Sequence, residues 1–271
     1  ASNIRKGNVD PKVDNILNVS TDGRKSGIDL QLVDPIIPID EAGNKAQQVA
    51  DDVFEIYRQT EDVNGTQLIF CDMGTPKTDG RFSVYEKLRD LLVEKGMRKE
   101  EFAFIHEAKN DDQKERIFSK VRSGEIRVLM GSTSKMGVGT NVQERLAALH
   151  HFDVPWRPAD FEQRDGRIIR QGNKFFDEVK VLRYITKDSY EVSMYEKVNR
   201  KQEFIEQAMS DPDSVSRVME EDTEIDYSEI MAAATGEPKI REHFEIGAKV
   251  EALLSSKQTF ETELFRRRSK A

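Results

Sequence analysis

The sequence predicts an α/β fold, a parallel sheet with helices on both faces, and three observations carry that expectation. Short apolar runs alternate with amphipathic stretches in strand–helix–strand–helix order. The runs LIFC (68–71), FAFI (102–105) and RVLM (127–130) are almost wholly apolar instead of alternating, as strands buried on both faces are. The stretches between them, VYEKLRDLLVEKG and DDQKERIFSKVRSG, are polar with apolar residues at helical spacing.

Taken in order, NVDPKVDNIL predicts a helix start, with Asp10 as cap and Pro11 at a first-turn position that needs no N–H. The run from Ser20 to Asp40 mixes Asp22-Gly23, Gly27, Pro35 and Pro38, so the helix is expected to stop early and residues 1–43 to form an irregular lead-in that packs on a larger body. Residues 44–60 are helical in pattern. The strands and helices named above follow, then a strand at ALHHFDV, a helix at ADFEQRDGRIIR (159–170) and a last strand at EVKVLRYI. SYEVSMYEKVNRKQEFIEQAM places Val192, Tyr195, Val198, Ile205 and Met209 near a 3.6-residue period, a long amphipathic helix. From Asp211 to Glu229 there are eight acidic residues and one basic, so 210–271 is expected to open as a solvated acidic linker; its last stretch is again helical in pattern and ends in the basic cluster RRRSK.

Composition excludes several classes. With a single cysteine, Cys71, no internal disulfide can form, and no Cys/His group has the spacing of a structural zinc site. No run approaches the ~18 apolar residues of a membrane span. The polar start ASNIRKGNVDPK lacks a secretory core, so the chain reads as cytoplasmic. The formal charge of −8 weighs against a nucleic-acid partner only if basic residues are evenly spread, so their position matters more than the sum.

Two stretches can carry chemistry. GSTSKMGVGTNVQ (131–143) is a strand-to-loop-to-helix turn at the carboxyl end of a strand, where open α/β sheets bind ligands. Gly137 and Gly139 let backbone come close to a phosphate or ribose, and Ser132, Thr133, Ser134, Lys135 and Thr140 supply donors. Tight packing of a glycine-rich turn explains the same residues. In DFEQRDGRIIRQGN (160–173), Gln163, Arg167 and Arg170 fall four and three residues apart and share one face of a helix. Arg167 and Arg170 can then present two guanidinium forks to a transferring phosphoryl group, while Arg164 lies off that face. A basic helix with surface ion pairs to Asp160, Glu162 and Asp165 is the alternative.

Together, the order and spacing of the two stretches resemble motifs V and VI of superfamily II helicases, in particular the Swi/Snf-like branch. The family's Q-x-x-x-R-x-x-R-x-G core is matched by Gln163, Arg167, Arg170 and Gly172, and HHFDVPWRPADFEQ resembles its aspartate, tryptophan–proline and glutamine passage through Asp153, Trp156 and Pro158. QLIFCDM is similar to the motif IV strand, and VKVLRYITKDSYEVSMYEKVNRKQ to the strand and bracing helix that close the second motor lobe. The resemblance covers about residues 44–209. The flanking segments resemble those of very large helicase-like proteins of phages and mobile elements, which implies a bacterial or phage-encoded source. Those parents often carry an adenine-specific methyltransferase region, but no N/D-P-P-Y/W motif occurs here.

The resemblance implies a RecA-like lobe that binds the DNA backbone, double-stranded DNA in this branch, through Ser132, Thr133, Ser134, Lys135 and Trp156. It assigns Gly137, Gly139 and Asn141 to the nucleotide and Gln163, Arg167 and Arg170 to catalysis of ATP hydrolysis. ATP and Mg are held mainly by the first RecA-like lobe of the same parent chain, because this sequence contains neither G-x-x-x-x-G-K-[ST] nor D-E-x-H. The 271-residue chain alone is therefore expected to be inactive as an ATP hydrolase, with no metal site of its own. It departs from the branch at Arg170-Gln171-Gly172-Asn173, where R-I-G-Q is usual, and at Lys135 and Met136, where arginine, alanine or small residues are common. A non-enzymatic nucleic-acid or protein-binding module of the same shape is the alternative function.

Overall fold

The computed structural model describes residues 16–38, 45–77, 80–136, 141–166 and 172–210. Five parallel strands form one sheet: β1 (Thr66–Phe70), β2 (Phe102–Phe104), β3 (Val128–Gly131), β4 (Leu146–His151) and β5 (Lys180–Arg183), in the order β2-β3-β1-β4-β5. The expected parallel sheet, with helices on both faces, is thus present. In register, Leu68 faces Leu129 and Leu149, and Ile69 faces Met130 and His150.

Alternation along the strands sorts the core into two layers. Ile69, Cys71, Val128 and Met130 face α2 (Lys45–Gln59) and α3 (Val84–Glu94), which contribute Val49, Ala50, Val53, Leu88 and Leu92. Leu68, Phe70, Leu129 and Leu149 face α4 (Asp111–Ser123), which contributes Phe118 and Val121. The helix α4 starts where Asn110 accepts the Gln113 N–H at 2.9 Å, with Asp111 and Asp112 in the first turn, and stops at Gly124, whose φ of 84° lies in the left-handed region. Cys71 is buried, and desolvation pushes its thiol well above the ordinary range, which makes it core filler.

The remaining helices are α1 (Ile16–Ile28), the single turn α5 (Thr133–Met136), α6 (Pro158–Asp165) and α7 (Tyr190–Ser210). One expectation is corrected. The lead-in helix was expected to stop early, before Asp22-Gly23, but α1 runs through Asp22-Gly23 and Gly27. The reason is packing against α7. A Cβ at Gly23 would lie 3.3 Å from the Tyr190 ring, and one at Gly27 only 2.6 Å from Glu191 Cγ, so the two glycines form the contact face of α1 instead of breaking it. The helix expected over 159–170 is described as far as Asp165, where the Gly166 N–H bonds back to Glu162 at 2.7 Å, and Arg167 and Arg170 lie outside the described residues. The proposed Asp10 cap with Pro11, and the linker and tail of 211–271, lie outside the described residues, as do the side chains of Ile205 and Met209.

On α7 the face toward α1 and α6 is Tyr190, Met194 and Val198, with Tyr195 half-buried. At its start Glu191 takes the Lys45 ammonium at 2.6 and 2.7 Å and the Thr186 N–H at 3.0 Å, while Thr186 Oγ1 donates to Gly27 O at 2.5 Å. Burial raises the Glu191 pKa in spite of Lys45. Among the described residues no helix is long and apolar enough to cross a membrane.

Candidate functional site

All five strands point the same way, so the segments after them meet along one edge: Asp72 after β1, Ser132 and Thr133 after β3, Asp153 after β4. Arg164, the penultimate residue of α6, reaches into that edge with its side chain fully buried. Its Nε donates to Thr133 Oγ1 at 2.8 Å, Nη1 to Asp153 O at 3.1 Å, and Nη2 to Asp72 Oδ2 at 2.8 Å and Asp153 Oδ1 at 3.0 Å. The acids are in turn tied to backbone: Asp72 Oδ1 accepts the Thr133 N–H at 2.6 Å, and Asp153 Oδ2 accepts the Asp72 N–H at 2.8 Å. Thr133 Oγ1 donates to Asp72 Oδ2 at 3.0 Å. One guanidinium therefore joins the turn after β3 to the ends of β1 and β4. Burial disfavours its charge, but the Asp153 and Asp72 carboxylates outweigh that cost and raise its pKa.

A second chain of contacts runs from His151 to β5. Arg164 Nη1 lies 3.5 Å from His151 Nδ1, and His151 Nε2 lies 2.7 Å from Asp165 Oδ1. Arginine can only donate, so Nδ1 is the acceptor, and His151 is neutral with its proton on Nε2, donated to Asp165. Burial and the Arg164 charge lower the His151 pKa, with Asp165 opposing. Asp165 also receives Arg183 Nη2 at 2.6 Å; desolvation pushes its pKa up, but His151 and Arg183 together hold it below the usual value. The neighbouring His150 is a core residue between Tyr184 and Gln67, at 2.9 Å from each, and burial lowers its pKa to about 3.

The residues named from sequence divide accordingly. Ser132 and Thr133 are buried, and Thr133 spends its hydroxyl inside the network; Ser132 Oγ lies 3.1 Å from Ser134 Oγ. Ser134 and Lys135 are exposed at the rim of the same edge. Trp156 is 44% exposed and Asn141 is exposed, with the Asn141 carbonyl taking Arg122 Nη1 at 3.0 Å. Gln163 is exposed on α6. Gly137, Gly139, Arg167 and Arg170 lie outside the described residues. Among the described residues no group of three or more His, Cys, Asp or Glu could hold a metal ion.

Sequence reasoning missed Arg164, Asp72 and the role of Asp153. The alternative reading of this stretch was a basic helix with surface ion pairs to Asp160, Glu162 and Asp165; Arg164 instead pairs with Asp72 and Asp153, its side chain buried. The sequence signal was partial: Asp72 and Asp153 each follow an apolar strand run, but only the strand order β2-β3-β1-β4-β5 shows that the two acids meet around one cation.

No curated protein matches the chain. Among solved structures, the chain is similar to the C-terminal part of the Fun30 ATPase domain (22% identity, 55% of this chain and 44% of that one, TM-score 0.43). It is also similar to the C-terminal domain of the DEAD-box protein Dbp5 (19% identity, 56% and 79%, TM-score 0.38) and to the Pyrococcus furiosus Hef helicase domain (16% identity, 59% and 29%, TM-score 0.41). The chain thus spans less than half of the Fun30 structure. Residues 48–172, a little under half of the chain and the part that holds Asp72, Thr133, Asp153 and Arg164, match the family model of the helicase conserved C-terminal domain.

Proposed function

We propose that this chain contributes the second RecA-like lobe of an ATP-driven DNA translocase or helicase of the Swi/Snf-like kind. The observation that carries the proposal is that the matched segment 48–172 contains both a strand-end turn bearing Ser134 and Lys135 and the helix leading to Arg167 and Arg170, and that Arg164 bonds the one to the other. In this role Ser134, Lys135 and Trp156 meet the DNA backbone at the exposed rim, giving salt-dependent affinity that is independent of base sequence. Arg167 and Arg170 meet the phosphates of ATP held with Mg by a first lobe, where guanidinium stabilises charge that develops in phosphoryl transfer. Closure of the two lobes completes the site, and the Arg164 network makes the turn and the helix one rigid element during that closure.

The test is DNA-stimulated ATP hydrolysis by a polypeptide that carries a Walker A lobe upstream of this chain. Activity is expected there, is expected to be absent from the 271-residue chain alone, and to drop by about 10³-fold or more in Arg170→Ala with the fold intact. Undiminished hydrolysis in Arg170→Ala would remove the arginine from the reaction. No hydrolysis with any first lobe would favour a binding module.

A further inference from the structure

We infer that Asp165 is a positioning residue for ATP hydrolysis: its carboxylate, gripped from the ends of β4 and β5, sets the direction in which the chain leaves α6 toward Arg167. The inference rests on the function proposed above. Asp165 is the last residue of α6, and Gly166 follows it with φ −60° and ψ −8°. Consecutive Cα atoms are about 3.8 Å apart, so the Cα of Arg167 lies within about 7.6 Å of that of Asp165, and an error in direction at Asp165 is carried to the arginine.

The grip has two points. His151 Nε2 donates to Asp165 Oδ1 at 2.7 Å, and Arg183 Nη2 donates to Asp165 Oδ2 at 2.6 Å. The same two side chains hold Phe161, one turn earlier on α6: the His151 ring centre is 5.0 Å from that of Phe161, and the Arg183 guanidinium carbon lies 5.2 Å from it. A helix held at one residue can swivel about it; held at Phe161 and Asp165, four residues apart on one face, its axis is fixed. Helix stability does not explain Asp165, because a carboxylate in the last turn faces the negative end of the helix dipole. Arg183 lies beyond the segment 48–172 that matches the family model, and with 39% of its side chain exposed it is explained by the carboxylate it holds and not by burial. Both carboxylate oxygens are needed. Arg164 occupies His151 Nδ1 and so keeps the imidazole proton on Nε2, which means that an amide at position 165 would offer one oxygen to two donors.

The experiment measures DNA-stimulated ATP hydrolysis by the polypeptide that carries a Walker A lobe upstream of this chain, as wild type, Asp165→Asn, His151→Leu and His151→Gln, with the folded fraction of each taken from its urea curve. Asp165→Asn is expected to lower kcat about 10²-fold, the consequence of about 1 Å of misplacement, with KM for ATP and Kd for DNA within about twofold of wild type. His151→Leu is expected to lower kcat in the same way, and His151→Gln, whose side-chain amide puts an N–H where Nε2 stands, to recover most of that loss. The grip is also read without turnover. In the 271-residue chain the His151 Nε2 proton, held to a carboxylate, is expected to resonate well downfield of an exposed imidazole N–H and to lose that shift in Asp165→Asn. No hydrolysis by the wild-type polypeptide overturns the proposed function and this inference together. An active wild type with kcat unchanged in Asp165→Asn overturns the positioning role and leaves the function standing. So does a loss of kcat that only follows the folded fraction, a loss in His151→Gln equal to that in His151→Leu, or a His151 proton without the downfield shift.

Discussion

Arg164 shows how one side chain can govern a site without meeting the substrate. Its five N–H groups are directed at two carboxylates, a hydroxyl, a carbonyl and an imidazole, and its side chain is wholly buried. Removing the cation leaves the Asp72 and Asp153 carboxylates facing each other without a counter-charge, Asp153 at 2% exposure. Arg164→Met is therefore expected to cost about 3–5 kcal/mol, the usual loss when half of a buried ion pair is deleted, read as a shift in the urea midpoint. Arg164→Lys keeps the charge but cannot reproduce the fork, and should fall between the two. A cost below about 1 kcal/mol for Arg164→Met would mean that the acids are neutralised some other way. This residue was illegible in the sequence because helical spacing put it off the face of Gln163 and nothing in a linear reading shows which strand ends will become neighbours. The strands themselves were legible, since LIFC, FAFI and RVLM needed only their apolar character.

At the scale of elements, α1 is the part most misread and the most instructive. Glycine costs a helix about 1 kcal/mol relative to alanine, and Asp22-Gly23 reads as a turn, so local preference argued for a break. Tertiary contact overrode it, because only a residue without a side chain lets α1 reach Tyr190 and Glu191. Gly27→Ala, favourable for an isolated helix, is expected to destabilise this one by about 1–3 kcal/mol, since Glu191 is held by Lys45 and cannot move aside. Limited proteolysis should then cut near residues 20–30 faster than in the wild type. An unchanged cleavage rate together with a raised unfolding midpoint would show that Glu191 has room to yield. Replacing Lys45 and Glu191 together by Met and Leu should cost little, whereas Glu191→Leu alone should cost several kcal/mol.

For the whole molecule the titrating groups give a pH profile. His150 has its pKa lowered to about 3 by burial, against about 6.5 in an unfolded chain. The unfolded state therefore binds a proton that the folded state does not between those values. The stability that His150 lends is present above about pH 6.5, declines as pH falls, and is gone once pH passes through about 3. The slope from this one residue is at most about 1.4 kcal/mol per pH unit, and His151, lowered in the same direction, adds to it. His150→Gln should flatten the profile by one proton, measured by urea unfolding at a series of pH values; an unchanged slope would show that His150 is already charged in the folded state. The alternation of strands and helices along the sequence was enough to give this layered architecture, but not its edge, because which loops meet depends on strand order, here β2-β3-β1-β4-β5. Asp72 and Thr133, 61 residues apart, become hydrogen-bonded only through that order.

Those two residues also carry amides that belong to no ladder. The Thr133 N–H is held by the Asp72 carboxylate and the Asp72 N–H by the Asp153 carboxylate. Each opens only when the ion-paired cluster opens. In deuterated solvent both loop amides will exchange as slowly as those of β1 and β3, and Arg164→Met will release the pair together while the strand amides stay protected.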